Sequence, residues 1–265
     1  MAVLKQTIAS LQQSFDRAAS SYDRINDTLA DKVHWFVGRH HIIEHLSKKG
    51  TCTILDAGGG TGNWTMDLAA MGHHLTLIDV SAKSVEVARG KAASRQLHDD
   101  FIVGNVEETD LPDGRFDFIL CLGPLMYSPE PQRMLDEMNR LLKPGGTMCL
   151  EFYNGLGWAV ESSNLSFKLK MAIADEELIQ MSDWDYPARV FSLQRLSELY
   201  ERAGFEVIKL FGTHILMASI PMDNVYTHQY ALQDLEDIKF AELRLSERHE
   251  YAGASKICNA LLRKR

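Results

Sequence analysis

The run Thr53-Ile-Leu-Asp-Ala-Gly-Gly-Gly-Thr-Gly62 constrains this chain more than any other stretch. Ile54 and Leu55 suit a buried parallel strand, and the glycines at 58, 60 and 62 let the backbone take positive φ and approach a ligand with no Cβ in the way. A helix opening at this turn aims its free N–H groups at the same ligand. A dinucleotide fingerprint G-x-G-x-x-G started at Gly58 meets Asn63, and one started at Gly60 meets Thr65. A phosphate loop needs Gly-Lys-Ser/Thr, and no Lys is present. The turn therefore predicts a nucleoside-bearing ligand without phosphates, with Asp56 able to orient a cationic amino-acid moiety by charge-assisted hydrogen bonds.

Downstream, His74-Leu-Thr-Leu-Ile-Asp79 reads as a second strand ending in an acid, placed to chelate ribose hydroxyls. Strands are predicted near 52–56, 74–79, 100–103, 116–121 and 146–152, with helices near 62–71, 82–94 and 130–142. This alternation specifies a parallel sheet with right-handed crossovers. Further strands near 205–213 and 256–263 fit an antiparallel closing pair, and helices are predicted near 3–20, 28–48, 192–203 and 231–249. The fold class is α/β, Rossmann-like, with a seven-stranded mostly parallel sheet and an antiparallel last strand. Residues 1–50 form a helical N-terminal cover, and 51–265 form one domain with a lid insertion at 153–190 after strand five.

At this point the chain resembles the class I S-adenosylmethionine (SAM)-dependent methyltransferases. The resemblance rests on DAGGGTG, the acid in LIDVS, Gly104-Asn105-Val106-Glu107 after strand three, and Leu141-Leu-Lys-Pro-Gly-Gly146 before strand five. It implies SAM as cofactor and S-adenosylhomocysteine as product. It also implies that Asp56, Ala57, Gly58 and Gly60 line the methionine end, that Asp79 holds the ribose with Val80 under the adenine, and that Asn105, Val106 and Glu107 border the adenine. Many relatives carry Asp where this chain has Asn105, so the adenine amino group is met differently here. Leu122, after strand four, completes the cofactor set. Lys32 or Arg39 on the second long helix can meet the methionine carboxylate, or can belong to a solvated helix face.

The phrase Ser14-Phe-Asp-Arg-Ala-Ala-Ser-Ser-Tyr-Asp23 is similar to the leader of small-molecule and quinone methyltransferases, which makes Tyr22 the candidate to close over SAM, or else a packing residue of an amphipathic helix. Tyr127 after strand four and Tyr153 after strand five are the side chains expected to meet the methyl group. His214 is the candidate base, although in a chain with 10 histidines most are structural or exposed. Direct in-line transfer draws its rate from positioning, and a base is needed only where the acceptor must lose a proton.

A second resemblance, to bacterial tRNA carboxymethoxyuridine methyltransferases, rests on Glu151-Phe-Tyr-Asn-Gly155, Asp185-Tyr-Pro187 and Glu250-Tyr-Ala-Gly253. Charge argues the other way. Residues 161–190 hold six acids, including Asp183 and Asp185, against Lys168, Lys170 and Arg189. An acidic lid repels RNA, and the formal net charge of −8 argues weakly against a nucleic-acid partner while leaving room for a local basic face. The aromatics and methionines of the lid, Trp158, Phe167, Met171, Met181, Trp184 and Tyr186, cover the pocket or simply pack the insertion against the sheet.

The four cysteines show no C-x-x-C spacing and read as reduced, buried thiols. The histidine pairs lack a third ligand at sensible spacing, so no metal site is expected. Without a signal-peptide core or an apolar run long enough to span a bilayer, a cytoplasmic protein with no membrane partner is expected. The first reading is a SAM-dependent methyltransferase acting on a small molecule. tRNA carboxyl methylation and a non-catalytic SAM-binding accessory role stay open, as does a homodimer.

Overall fold

A computed structural model describes residues 7–25, 27–180, 186–217 and 230–265. Three helices lead: α1 (Ile8–Ala18), α2 (Tyr22–Ile25) and α3 (Leu29–Leu46). The alternating unit follows, with β1 (Thr53–Ala57), α4 (Asn63–Ala70), β2 (His74–Asp79), α5 (Ala82–Ser94), β3 (Asp100–Val103), β4 (Phe116–Cys121), α6 (Pro124–Tyr127), α7 (Pro131–Leu141) and β5 (Leu142–Asn154). Next come α8 (Gly155–Glu161), α9 (Leu165–Ile173), β6 (Glu176–Gln180), β7 (Pro187–Phe191), α10 (Leu193–Arg202) and β8 (Phe205–Gly212). The chain closes with α11 (Leu232–Ser246), α12 (His249–Ala252) and β9 (Ile257–Lys264).

β3, β2, β1, β4 and β5 lie side by side in parallel, and β9 runs antiparallel between β5 and β8. These seven strands match the predicted sheet. The described residues contain nine strands, because β6 and β7 form an antiparallel hairpin whose second strand pairs with Tyr153 and Asn154 at the end of β5. The predicted lid is thus partly sheet. β5 runs 13 residues and overshoots the register of β4, so its last residues offer free backbone groups that β7 satisfies.

Alternation along the strands sends side chains into two layers. On one face Leu55, Ile119, Cys121, Leu150 and Cys258 pack against α7 and α10. On the other Ile54, Phe118, Leu120 and Cys149 pack against Ile42 and Leu46 of α3 and Leu68 of α4. α3 is fixed at its start by a capping box, in which Thr28 and Asp31 each accept from the other's backbone N–H. All four cysteines are free and buried, as expected.

In the insertion, Trp158, Phe167, Met171 and Tyr186 pack with Tyr153 against Leu11 and Phe15 of α1 and Met126 and Tyr127 of α6. These aromatics therefore tie the insertion to α1 and α6. Met181, Asp183, Trp184 and Asp185 lie outside the described residues. No described helix is long and apolar enough to cross a membrane.

Candidate active site

A cavity of about 710 Å³, open solvent at its mouth included, lies at the carboxyl ends of β1, β2, β3 and β4. Its floor is Gly58 and Gly60 from the first turn, Asp79 and Val80 after β2, and Gly104 to Glu107 after β3. Leu122, Gly123, Pro124 and Tyr127 form one side. Ile8, Leu11, Phe15 and Tyr22 from the leading helices form the roof.

The floor is held open by backbone geometry. Gly58 and Gly60 take φ of +69° and +54°, and the Gly58 N–H donates to the Ile78 carbonyl at 2.7 Å. A Cβ on Gly58 would come within 2.2 Å of Pro124 Cγ, whereas one on Gly60 would meet nothing but the cavity. Asp79 braces the turn: Oδ2 accepts from the Gly60 N–H at 2.9 Å and Oδ1 from the Ser81 N–H at 2.8 Å.

Residues 54–146 match the family described as a methyltransferase domain. A demethylmenaquinone methyltransferase of Staphylococcus haemolyticus is 31% identical over 211 residues, covering 74% of this chain and 85% of that protein. The chain belongs to the class I SAM-dependent methyltransferases. A demethylmenaquinone methyltransferase of Listeria monocytogenes is 29% identical over the same length, 74% of this methyltransferase and 86% of its own. Among solved structures, the cyclase SpnF superposes with a TM-score of 0.62 at 19% identity, covering 98% of this chain and 97% of that one. The Burkholderia thailandensis 1,6-didemethyltoxoflavin-N1-methyltransferase, solved with S-adenosylhomocysteine, gives 0.61 at 17% identity, with 97% and 88% covered. At such identities these structures speak for the fold alone.

Of the residues predicted for this methyltransferase's site, Tyr22, Gly58, Gly60, Asp79, Val80, Asn105, Val106, Glu107, Leu122 and Tyr127 all line the cavity. Asp56 and Ala57 do not. Asp56 is 3% exposed and turns beneath the glycine turn, where Oδ2 accepts from the Thr65 hydroxyl at 2.6 Å, while Ala57 packs in the core. The strand's pleat sends both side chains into the packed layers, so the acid shapes the turn from below. Lys32 is also elsewhere: it pairs with Asp27 on the outside of α3. Tyr153 packs edge-on to Trp158. His214 is buried and stacks on His34, with ring centroids 5.6 Å apart. Burial and the neighbouring His34 hold its pKa well below the ordinary histidine value, so it cannot serve readily as the base predicted for it.

Two acids absent from the predicted set secure the roof. Asp16 accepts from the Ser81 hydroxyl at 2.6 Å, and Asp23 accepts from the Thr61 hydroxyl at 2.6 Å while pairing with Lys91 at 2.6 Å. They bind α1 and α2 to the two loops that form the floor. Their signal was present in the leader phrase as acids seven residues apart, but only the tertiary fold shows what each faces.

Burial raises the pKa of Asp79 to about 6, against the pull of the Ser81 and Gly60 amides. Asp56 is likewise raised to about 6 by burial, opposed by the Thr65 hydroxyl. Asn105 Oδ1 accepts from the Glu107 N–H at 3.0 Å, which leaves the amide's N–H donors for a ligand. Glu107 Oε1 accepts from the Ser128 hydroxyl and from the Glu130 N–H at 3.1 Å. His40, His41 and Glu44 bring ligand atoms within 4.8 Å of one another, but both His41 nitrogens are engaged, one by Lys209 at 3.0 Å and the other by Ser246 at 2.8 Å. The ammonium beside them repels a metal cation.

Proposed function

We propose that this enzyme transfers the SAM methyl group in line to a small, largely apolar acceptor. The charge of the lining carries the reading: its ionisable acids and bases are Asp79 and Glu107, both acidic, and the roof is Ile8, Leu11, Phe15 and Tyr22. Such a surface suits a cationic sulfonium donor and a neutral acceptor, and it repels a phosphate backbone. In this reading Gly58 and Gly60 admit the methionine moiety, and Asp79 accepts from the ribose hydroxyls. Val80, Val106 and Leu122 border the adenine, and an Asn105 N–H donates to a ring nitrogen. Tyr22 and Tyr127 close the space around the methyl group. The name of a similar protein points the same way, toward demethylmenaquinone as acceptor.

Radiolabelled SAM offered with a panel of hydroquinones, phenols and ring amines tests this, with label expected in an apolar product. Salt-sensitive labelling of undermodified tRNA that is lost in Lys168→Glu with Lys170→Glu would overturn it. Tight SAM binding with no labelled product from any acceptor would mark a non-catalytic SAM-binding protein.

A further inference from the structure

Glu151 is a buried acid that none of the cofactor contacts uses. The register of the sheet places it: β1 pairs Asp56 with Leu120, and β4 pairs Cys121 with Leu150. Gly58, Leu122 and Glu151 therefore fall in one row across the carboxyl ends of three neighbouring strands, and the first two line the cavity. Glu151 shares its face of the sheet with Cys149, two residues earlier, which packs toward α3. There Oε2 lies 3.0 Å from His34 Nε2, with Glu151 7% exposed.

His34 is fixed on its other side. Nδ1 lies 2.9 Å from Thr213 Oγ1, whose own hydroxyl reaches toward the Ile257 carbonyl at 3.4 Å, so Nδ1 carries the proton and donates. Nε2 then faces the Glu151 carboxylate at ion-pair distance. The ring is stacked on His214 at an interplanar angle of 9°, which holds its orientation. Burial alone would lower the His34 pKa, but the Glu151 charge and hydrogen bond outweigh it and raise the value. After burial, Tyr127 and Asp79, Glu151 is among the charges that push the Tyr22 phenol upward.

The geometry points to Glu151, oriented by His34, as the group that takes the proton from a hydroxyl or other acidic X–H acceptor during methyl transfer. The inference rests on the proposed methyl transfer to a small acceptor. In the step an X–CH₃ bond forms as the S–CH₃ bond breaks, and the electron pair of that bond stays on sulfur to give the neutral thioether of S-adenosylhomocysteine. The X–H proton passes to the Glu151 carboxylate and leaves to solvent after the product. Glu151 would be the catalytic residue and His34 a positioning residue, since His34 acts through the carboxylate.

A chromogenic phenol separates this from the methyl-transfer reading. The protein saturated with S-adenosylhomocysteine is titrated with 4-nitrophenol at a pH where the free phenol is mostly protonated. Wild type is expected to show a binding-linked phenolate band, and Glu151→Gln to lose at least tenfold of it while keeping wild-type affinity for S-adenosylhomocysteine. His34→Gln should reduce the band less. No phenolate band in wild type, or an undiminished band in folded Glu151→Gln, overturns the inference. A phenolate band without methylation of any acceptor in the panel would support the proton acceptor and refute the proposed transfer.

Discussion

Asp79 offers the sharpest test of how the cofactor is held. Each of its oxygens already accepts one backbone N–H, from Gly60 at 2.9 Å and from Ser81 at 2.8 Å. A carboxylate has about four acceptor positions, so about two remain for the ribose hydroxyls. In Asp79→Asn one oxygen becomes an NH₂ group, which faces a backbone N–H and can accept nothing. Hydrogen bonds to a charged acceptor are worth about 1.5–3 kcal/mol, and a buried donor left unpaired costs about 1–3 kcal/mol. At about 1.4 kcal/mol per factor of ten, SAM should bind roughly 10- to 150-fold more weakly, and the fold should lose about 1–3 kcal/mol because one turn amide is orphaned. Titration calorimetry at pH 8, where the wild-type acid is ionised, gives the affinity, and urea denaturation gives the stability. The two effects are separable. A variant that loses stability yet binds SAM within twofold of wild type would mean that Asp79 only braces the turn, and one that binds NADH in preference would mean that the ligand has been misassigned.

Other expectations follow from single contacts. Gly58→Ala forces a Cβ to within 2.2 Å of Pro124 Cγ at φ +69° and should cost about 1–3 kcal/mol of stability by denaturant titration; Gly60→Ala, with open space around its Cβ, should fold better and lose SAM affinity instead. Asp79 and Asp56 are held at about 6 against an ordinary 3.8, so they bind protons more tightly when folded, and their part of the stability falls as pH rises from about 4 to about 6 and then levels off. A ribose-bound Asp79 must be ionised, so SAM affinity measured by calorimetry should weaken up to about tenfold per pH unit below about 6, and a flat profile from pH 5 to 8 would count against that contact. Glu242 accepts the N–H groups of Ile215 and Met217 and is raised from 4.5 to about 7, chiefly by burial. Thermal melts should show its contribution shrinking as pH climbs from about 4.5 to about 7, a slope that Glu242→Gln should remove. Asp23→Ala should leave the core intact but free α2 from Thr61, weakening SAM binding several-fold, with no change in affinity refuting the clamp.

Spacing and alternation were enough for the parallel sheet, the closing antiparallel pair and most of the cavity floor. The reason is local: a buried strand, a glycine turn and an acid after the next strand are each written in a few adjacent residues, and parallel βα units leave little choice about where their carboxyl ends meet. Gly58, Gly60, Asp79 and Val80 were legible on that basis. Asp56 was misread because one residue's step along a strand flips its side chain, and the acid that looks aimed at the ligand faces Thr65 below the turn. The β6–β7 hairpin was hidden by the same limit, since its pairing to the end of β5 depends on how far that strand overshoots β4. His214 looked like a base from its place after a strand, and the fold buries it behind His34. Asp16 and Asp23 on the floor loops, and His34 beside Glu151, come from segments 38 to 117 residues apart in the chain. No periodicity or motif encodes such contacts, because they exist only where helices and strands pack together.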